Sequence, residues 1–132
     1  FNPTGDLVKG HSAWESFVPD VLGCGNYGYG PVEPGTDVQV AKDAEKHAIL
    51  KGVAAKKWYS KGNIYRVAPI DKKANVLLWG TVGDSKEPIA WTRMAGKSRV
   101  FYTSLGHPSD FDDERFVAVL TNGMLWAAGR DE

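Results

Sequence analysis

The chain has 132 residues and a mass of 14.4 kDa, with 42% apolar and 24% charged residues, which describes one domain with a packed core and excludes general disorder. Lys plus Arg number 16, as do Asp plus Glu, so no net positive charge draws the chain to nucleic acid or to an anionic membrane. No apolar run approaches the roughly 20 residues that cross a bilayer, and the lone cysteine, Cys24, excludes an internal disulfide or a multi-cysteine zinc site.

The opening Phe1-Asn2-Pro3-Thr4-Gly5-Asp6 has no initiator Met and no signal-peptide pattern, so it reads as a processed or truncated start and leaves the compartment unassigned. Leu7-Val8 reads as a short strand. Trp14, Phe17, Val18, Val21 and Leu22 recur at spacings of three and four, which predicts a one-sided helix over 12–22 that Pro19 kinks or splits. Residues 23–35 hold five glycines and two prolines, so they read as a loop that projects Tyr27 and Tyr29. Thr36–Val40 alternates as a strand does. His47–Val53 is a short helical turn stopped by Gly52, with His47 as a local cap. Strands follow at Trp58–Val67, at Asn75–Val82, and as a hairpin of Ile89–Arg93 with Arg99–Ser104 around Gly96. Within Asn75–Val82 the run Val76-Leu77-Leu78-Trp79 is apolar throughout, as in a strand buried on both faces. The chain closes with a helix. Asp112, Asp113 and Glu114 suit its positive N-terminus, Phe116, Val119, Leu120 and Leu125 line one side, and Gly129 stops it.

Strands interleaved with helices predict an α/β sheet. Two helices are thin cover for a parallel sheet, so either the sheet is mixed or covering elements are missing.

The chemistry gathers late in the chain. The strand ending at Ser104 runs into Leu105-Gly106-His107-Pro108, and ligand sites of open α/β sheets lie at the carboxyl ends of strands. Gly106 allows a sharp turn, His107 is a candidate acid/base, and Asp110 stands three residues on as a carboxylate partner for the imidazole. The plain alternative is a turn that carries a surface histidine.

Residues 88–129, with AWTR, GKSRVFYTSLGHPSDF and NGMLWAAGR, resemble the C-terminal signature of the ThuA-like trehalose-utilisation family. VLLWG, the 47–53 stretch and VLGCGNYGYG extend the likeness upstream, and LVKGHSAW extends it more weakly. The resemblance implies a flavodoxin-like sheet of the class I glutamine-amidotransferase-like superfamily, of which this single domain over residues 1–132 represents about the C-terminal half. A missing N-terminal half or a second copy of the chain would then cover the rest of the sheet.

By the same resemblance His107 takes the place of the superfamily's catalytic histidine. Gly10-His11-Ser12-Ala13 resembles its strand-to-helix elbow, with His11 where a cysteine nucleophile would stand. Cys24 lies well beyond that elbow, so glutamine amidotransfer through a cysteine thioester is not expected. Lys9 replaces a glycine of the family pattern, and Ser109 replaces an acid after Pro108. The resemblance implies action on a sugar or keto-disaccharide, with His107 as acid/base, His11 assisting, and a small carbohydrate as the partner. Trp91 and Arg93, two apart on one strand face, would stack on and hydrogen-bond a sugar unless they are an edge-strand surface pair. Tyr27 and Tyr29 would lie over the ligand and Asn26 would bond a hydroxyl, or all three serve the loop itself. No cofactor is required by this reading. A metal held by His11, His107 and an acid is the lesser alternative, and a non-catalytic carbohydrate-binding module on the same scaffold is the main one.

Overall fold

The computed structural model describes residues 14–25, 28–30, 33–54 and 56–130. It holds strands β1 (Gly28–Tyr29), β2 (Thr36–Val40), β3 (Lys57–Ser60), β4 (Tyr65–Arg66), β5 (Asn75–Val82), β6 (Ser85–Ala95) and β7 (Ser98–Thr103), followed by helix α1 (Glu114–Ala127). Five of the strands form one sheet in the order β3-β2-β5-β6-β7, while β1 pairs with β4 as a separate ribbon. Every pair is antiparallel. The α/β class therefore holds, but the parallel order of a flavodoxin-like sheet is not what the described strands adopt. The local reason is turn length. Gly83-Asp84 joins β5 to β6 and Gly96-Lys97 joins β6 to β7, and two residues can only return a chain antiparallel. Gly83 (φ 55°) and Gly96 (φ 59°) supply the positive φ that such hairpins need at their first turn position.

β2 and β5 fall where alternation and the apolar run place them, and Leu77 and Leu78 are both fully buried although adjacent. The β5–β6 register shifts around Leu78, and Pro88, which has no N–H to donate, sits beside that irregularity. Other expectations change. The strand expected over 58–67 is broken after Ser60, and the loop 61–64 separates β3 from β4. The glycine-rich 23–35 stretch is not loop throughout, because Gly28 and Tyr29 register with Arg66 and Tyr65. The helix expected over 12–22 is a single π-type turn, Phe17–Leu22, closed by Gly23 N–H donating to Val18 O at 2.9 Å. Pro19 lies in its first turn, where a missing N–H costs little.

α1 crosses the sheet. Its N-cap is Asp113, whose carboxylate accepts from Arg115 N–H at 2.9 Å. Near this end the Arg115 guanidinium lies 5.6 Å over the ring of Trp58 in β3. At the other end Arg99 of β7 donates to Trp126 O at 3.0 Å and stacks over the Trp126 ring. The helix thus spans from one edge strand to the opposite one. Asn122 fastens its middle to the 48–50 turn, donating to Ile49 O and Lys51 O at 3.1 and 2.9 Å. Phe116, Val119 and Gly123 form the buried side, whereas Leu125, expected on it, is 41% exposed. Gly123 takes that place because a Cβ there would collide with the ring of Phe101. Helix and β7 touch through its missing side chain.

This contact makes a signed prediction. In an ordinary helix Gly→Ala stabilises by about 1 kcal/mol, but Gly123→Ala is expected to destabilise the chain by about 1–3 kcal/mol through overpacking. Urea unfolding measures it, and Phe101→Leu added to Gly123→Ala should recover part of the loss.

Candidate functional site

The carboxylate of Asp110 is 5% exposed and sits where two chain segments meet. A buried carboxylate is tolerable only when hydrogen-bonded, and this one collects three donors. Ser60 Oγ, at the end of β3, donates to it at 2.8 Å, and the backbone N–H groups of Gly106 and His107 donate to Oδ2 at 3.0 Å each. Ser60 Oγ also accepts from Gly62 N–H at 3.0 Å, and Thr36 Oγ1 donates to Gly62 O at 2.8 Å. The loop after β3 and the loop after β7 are thereby locked together. Between them lies a cleft of about 360 Å³, whose lining includes Lys61, Asn63, Tyr65, Ser104, Gly106 and His107. Gly106 has φ 142°, a backbone that residues with a Cβ rarely adopt, so its glycine sets the direction of the cleft wall.

His107 caps the 3-10 turn Pro108–Asp112. Its Nδ1 accepts from Ser109 N–H at 3.1 Å and lies 2.8 Å from Ser109 Oγ. Ser109 thus engages Nδ1 through both its backbone N–H and its hydroxyl. Nε2 is then the ring nitrogen left for a ligand oxygen. Asp110 does not orient the imidazole, as its three-residue spacing led us to expect. It holds the backbone of Gly106 and His107 instead, and Ser109 contacts the ring.

Trp91 and Arg93 do not reach the cleft. Trp91 is fully buried, stacked on Tyr102 at 3.9 Å between ring centroids, and its Nε1 donates to Leu22 O at 3.0 Å. Arg93 donates through Nη1 to Asp20 O and Val21 O at 2.6 and 2.9 Å, and through Nη2 to Asp71 at 3.0 Å. It pins the carbonyl end of the 17–22 turn to the sheet, as cations at helix C-termini do. The backbone N–H of Lys73, with help from Arg93, holds the Asp71 carboxyl below the usual carboxylate range. A shared strand face is correct for this pair, but the 17–22 turn packs on that face, burying Trp91 and partly burying Arg93.

His11, Asn26 and Tyr27 lie outside the described residues. The backbone of Tyr29 registers with Tyr65, which lines the cleft, and Gly30 N–H donates to Ile64 O at 2.9 Å. β1 therefore runs beside the cleft. His47 is a local cap as expected, its Nδ1 accepting from Ile49 N–H at 3.2 Å. Ser60, Lys61 and Asn63 were not anticipated, because the 58–67 stretch read as one strand; Gly62-Asn63 within it was the turn signal. Among the described residues no three His, Cys, Asp or Glu side chains gather as a metal site requires. Cys24 is buried, and burial pushes its thiol up to about 11 against the smaller opposing pull of Arg93.

The family model ThuA, described as trehalose utilisation, matches residues 5–127. No curated protein and no solved structure matches the chain.

Two measurements test this arrangement. Asp110→Ala leaves Ser60 Oγ and two backbone amides unpartnered and should cost about 2–4 kcal/mol in urea unfolding, with Ser60→Ala costing about 1–2 kcal/mol. For Cys24, a group pushed up to about 11 is almost wholly neutral thiol at lower pH. At pH 8 roughly one thiol in a thousand is the reactive thiolate. A thiol reagent at that pH should label the native chain far more slowly than the chain in denaturant, and labelling should speed up as the pH rises.

Proposed function

We propose that this chain, which belongs to the ThuA trehalose-utilisation family, binds a sugar or keto-disaccharide in the cleft beside His107 and uses that imidazole as its acid/base. The observation that carries the reading is the placement of the ring, in the cleft wall with Nδ1 held by Ser109. Ser109 occupies Nδ1 and leaves Nε2 for a substrate oxygen; a ring that carries both protons, with Nδ1–H donating to Ser109 Oγ 2.8 Å away, can pass its Nε2 proton to that oxygen and take a proton back at Nε2. Such a group works on hydroxyl, carbonyl or glycosidic oxygens, which are the oxygens a sugar has.

Asp110 acts here as a positioning residue, holding the backbone that carries Gly106 and His107. Lys61 and Ser104 supply polar contacts from the cleft walls. Asn63 donates to Gly30 O at 3.2 Å, which leaves its carbonyl oxygen for a ligand hydroxyl. Asn26, Tyr27 and Tyr29 are proposed as further sugar contacts, with His11 a candidate second acid/base. Trp91 and Arg93 are left out of the site because Trp91 is fully buried and the Arg93 guanidinium is tied to Asp20 O, Val21 O and Asp71. The environment of Cys24 supports leaving cysteine-thioester chemistry out as well.

The test is His107→Gln, measured with trehalose and its keto derivative for both binding and turnover. Loss of a general acid/base lowers turnover about 10²–10⁴-fold, and that loss is expected with little change in melting temperature, because the imidazole is only partly buried. Turnover equal to that of the unaltered chain would remove His107 from the chemistry. Saccharide binding by a chain with no turnover of any sugar would instead favour a binding module. His11→Ala, measured alongside, reports whether that residue takes part.

A further inference from the structure

We propose that the outer flank of α1 is the contact surface of a two-fold dimer, in which the helices of two copies of this chain lie antiparallel. From Phe116 to Gly129 the sequence holds no charged residue. A helix that is apolar all round packs on more than one side. α1 carries two apolar stripes, each at spacings of three, four and three. In the first, Phe116, Val119 and Gly123 are buried and Trp126 packs on the core. The second, Val117, Leu120, Met124 and Ala127, stands one residue further on, about 100° around the helix.

None of these four belongs to the packed core. Val117 is 41% exposed, Met124 is 57% exposed, Ala127 is exposed and Leu120 is partly buried. The 48–50 turn does not cover them, because it holds the opposite flank through Asn122 and through His47 against the Trp126 ring. A stripe at this spacing is the seam by which one helix packs on another.

Self-complementarity selects a second copy as the occupant. In a two-fold contact, residue i meets residue j of the partner and j meets i. With the helices antiparallel and the axis level with Asn122, Val117 meets the partner's Ala127 and Leu120 meets the partner's Met124. A larger side chain then faces a small one at each end, and two long ones fill the middle. The same register brings Glu114 level with the partner's Arg130, once on each side of the axis. Arg130 follows the Gly129 turn and is held at the helix end by its N–H donating to Leu125 O at 2.8 Å. Glu114 and Arg130 are both exposed, and neither forms an ion pair among the described residues. A parallel arrangement would set Glu114 against Glu114 and Arg130 against Arg130, so charge fixes the antiparallel direction. Size sets the strength. From Glu114 to Ala127 the seam is about 20 Å long at roughly 1.5 Å per residue. One helix flank of that length falls short of the roughly 800 Å² per partner of a standard interface, so the dimer is concentration-dependent and not permanent. The cleft at His107 takes no lining residue from α1, so the two surfaces are separate.

Light scattering on the full chain, from about 10 μM to about 1 mM, tests the proposal. The weight-average mass is expected to climb from 14.4 kDa toward twice that value. Met124→Glu, at an exposed position, should hold the monomer mass across the whole range with an unchanged melting temperature. Glu114→Arg and Arg130→Glu should each raise the dissociation constant about tenfold, because each turns both end pairs into like-charge pairs. The two together should return it to within about threefold of the unaltered chain. Three results each overturn the proposal: monomer mass at every concentration, association unchanged by Met124→Glu, or charge variants whose effects add instead of cancelling. The charge variants leave the apolar seam intact, so they decide the matter even where Met124→Glu disturbs folding.

Discussion

The carboxylate of Asp110 is the point on which the arrangement turns. A charge at 5% exposure is stable only if its surroundings replace water. The replacement comes from both ends of the fold: Ser60 at the end of β3, and the amides of Gly106 and His107 just after β7. β3 and β7 are opposite edges of the sheet. The segment leaving β7 must therefore cross to the β3 edge before α1 can begin, and α1 then runs back toward β7. The buried charge holds that crossing, and the cleft lies between the two loops it joins.

The return of α1 sets a second constraint, which is steric and not polar. A helix that starts over Trp58 and ends over Arg99 must pass close to β7 midway, and Gly123 against the Phe101 ring is where it does so. The helix gives up intrinsic propensity at that position in exchange for contact, since glycine is the weakest helix former apart from proline. Its fixed start places Asp113 as N-cap directly after the 108–112 turn, so the helix and the His107 loop are one continuous piece of structure.

A polar clamp of a different kind holds the 17–22 turn. Arg93 reaches two carbonyls at the end of that turn and the Asp71 carboxylate, and Trp91 beside it reaches Leu22 O. Both residues have the chemistry of a sugar site, a ring next to a guanidinium, and both spend it on their own chain. Residue type and face spacing were read correctly, yet they do not say whether ligand or protein lies on the face.

The sequence by itself determined what depends on neighbours a few residues away. The alternation of Thr36–Val40, the apolar run in Asn75–Val82, the glycine turn between β6 and β7, and the acid-capped closing helix are local signals, and the structure carries them. So is Gly106-His107-Pro108 at a strand exit, which brought His107, Gly106 and Asp110 into view together, along with membership of the ThuA family. Tertiary structure decided the rest, because it rests on contacts that no local period encodes. The Ser60 donor to Asp110 lies fifty positions away, and the loop that carries it was hidden inside an apparently continuous strand. Strand direction followed from turn length and pairing, burial of Trp91 and Arg93 from a turn seventy residues earlier, and the contact of His107 with Ser109 from the backbone path between them. A period of two tells which residues share a face, and only the packed chain shows what covers it.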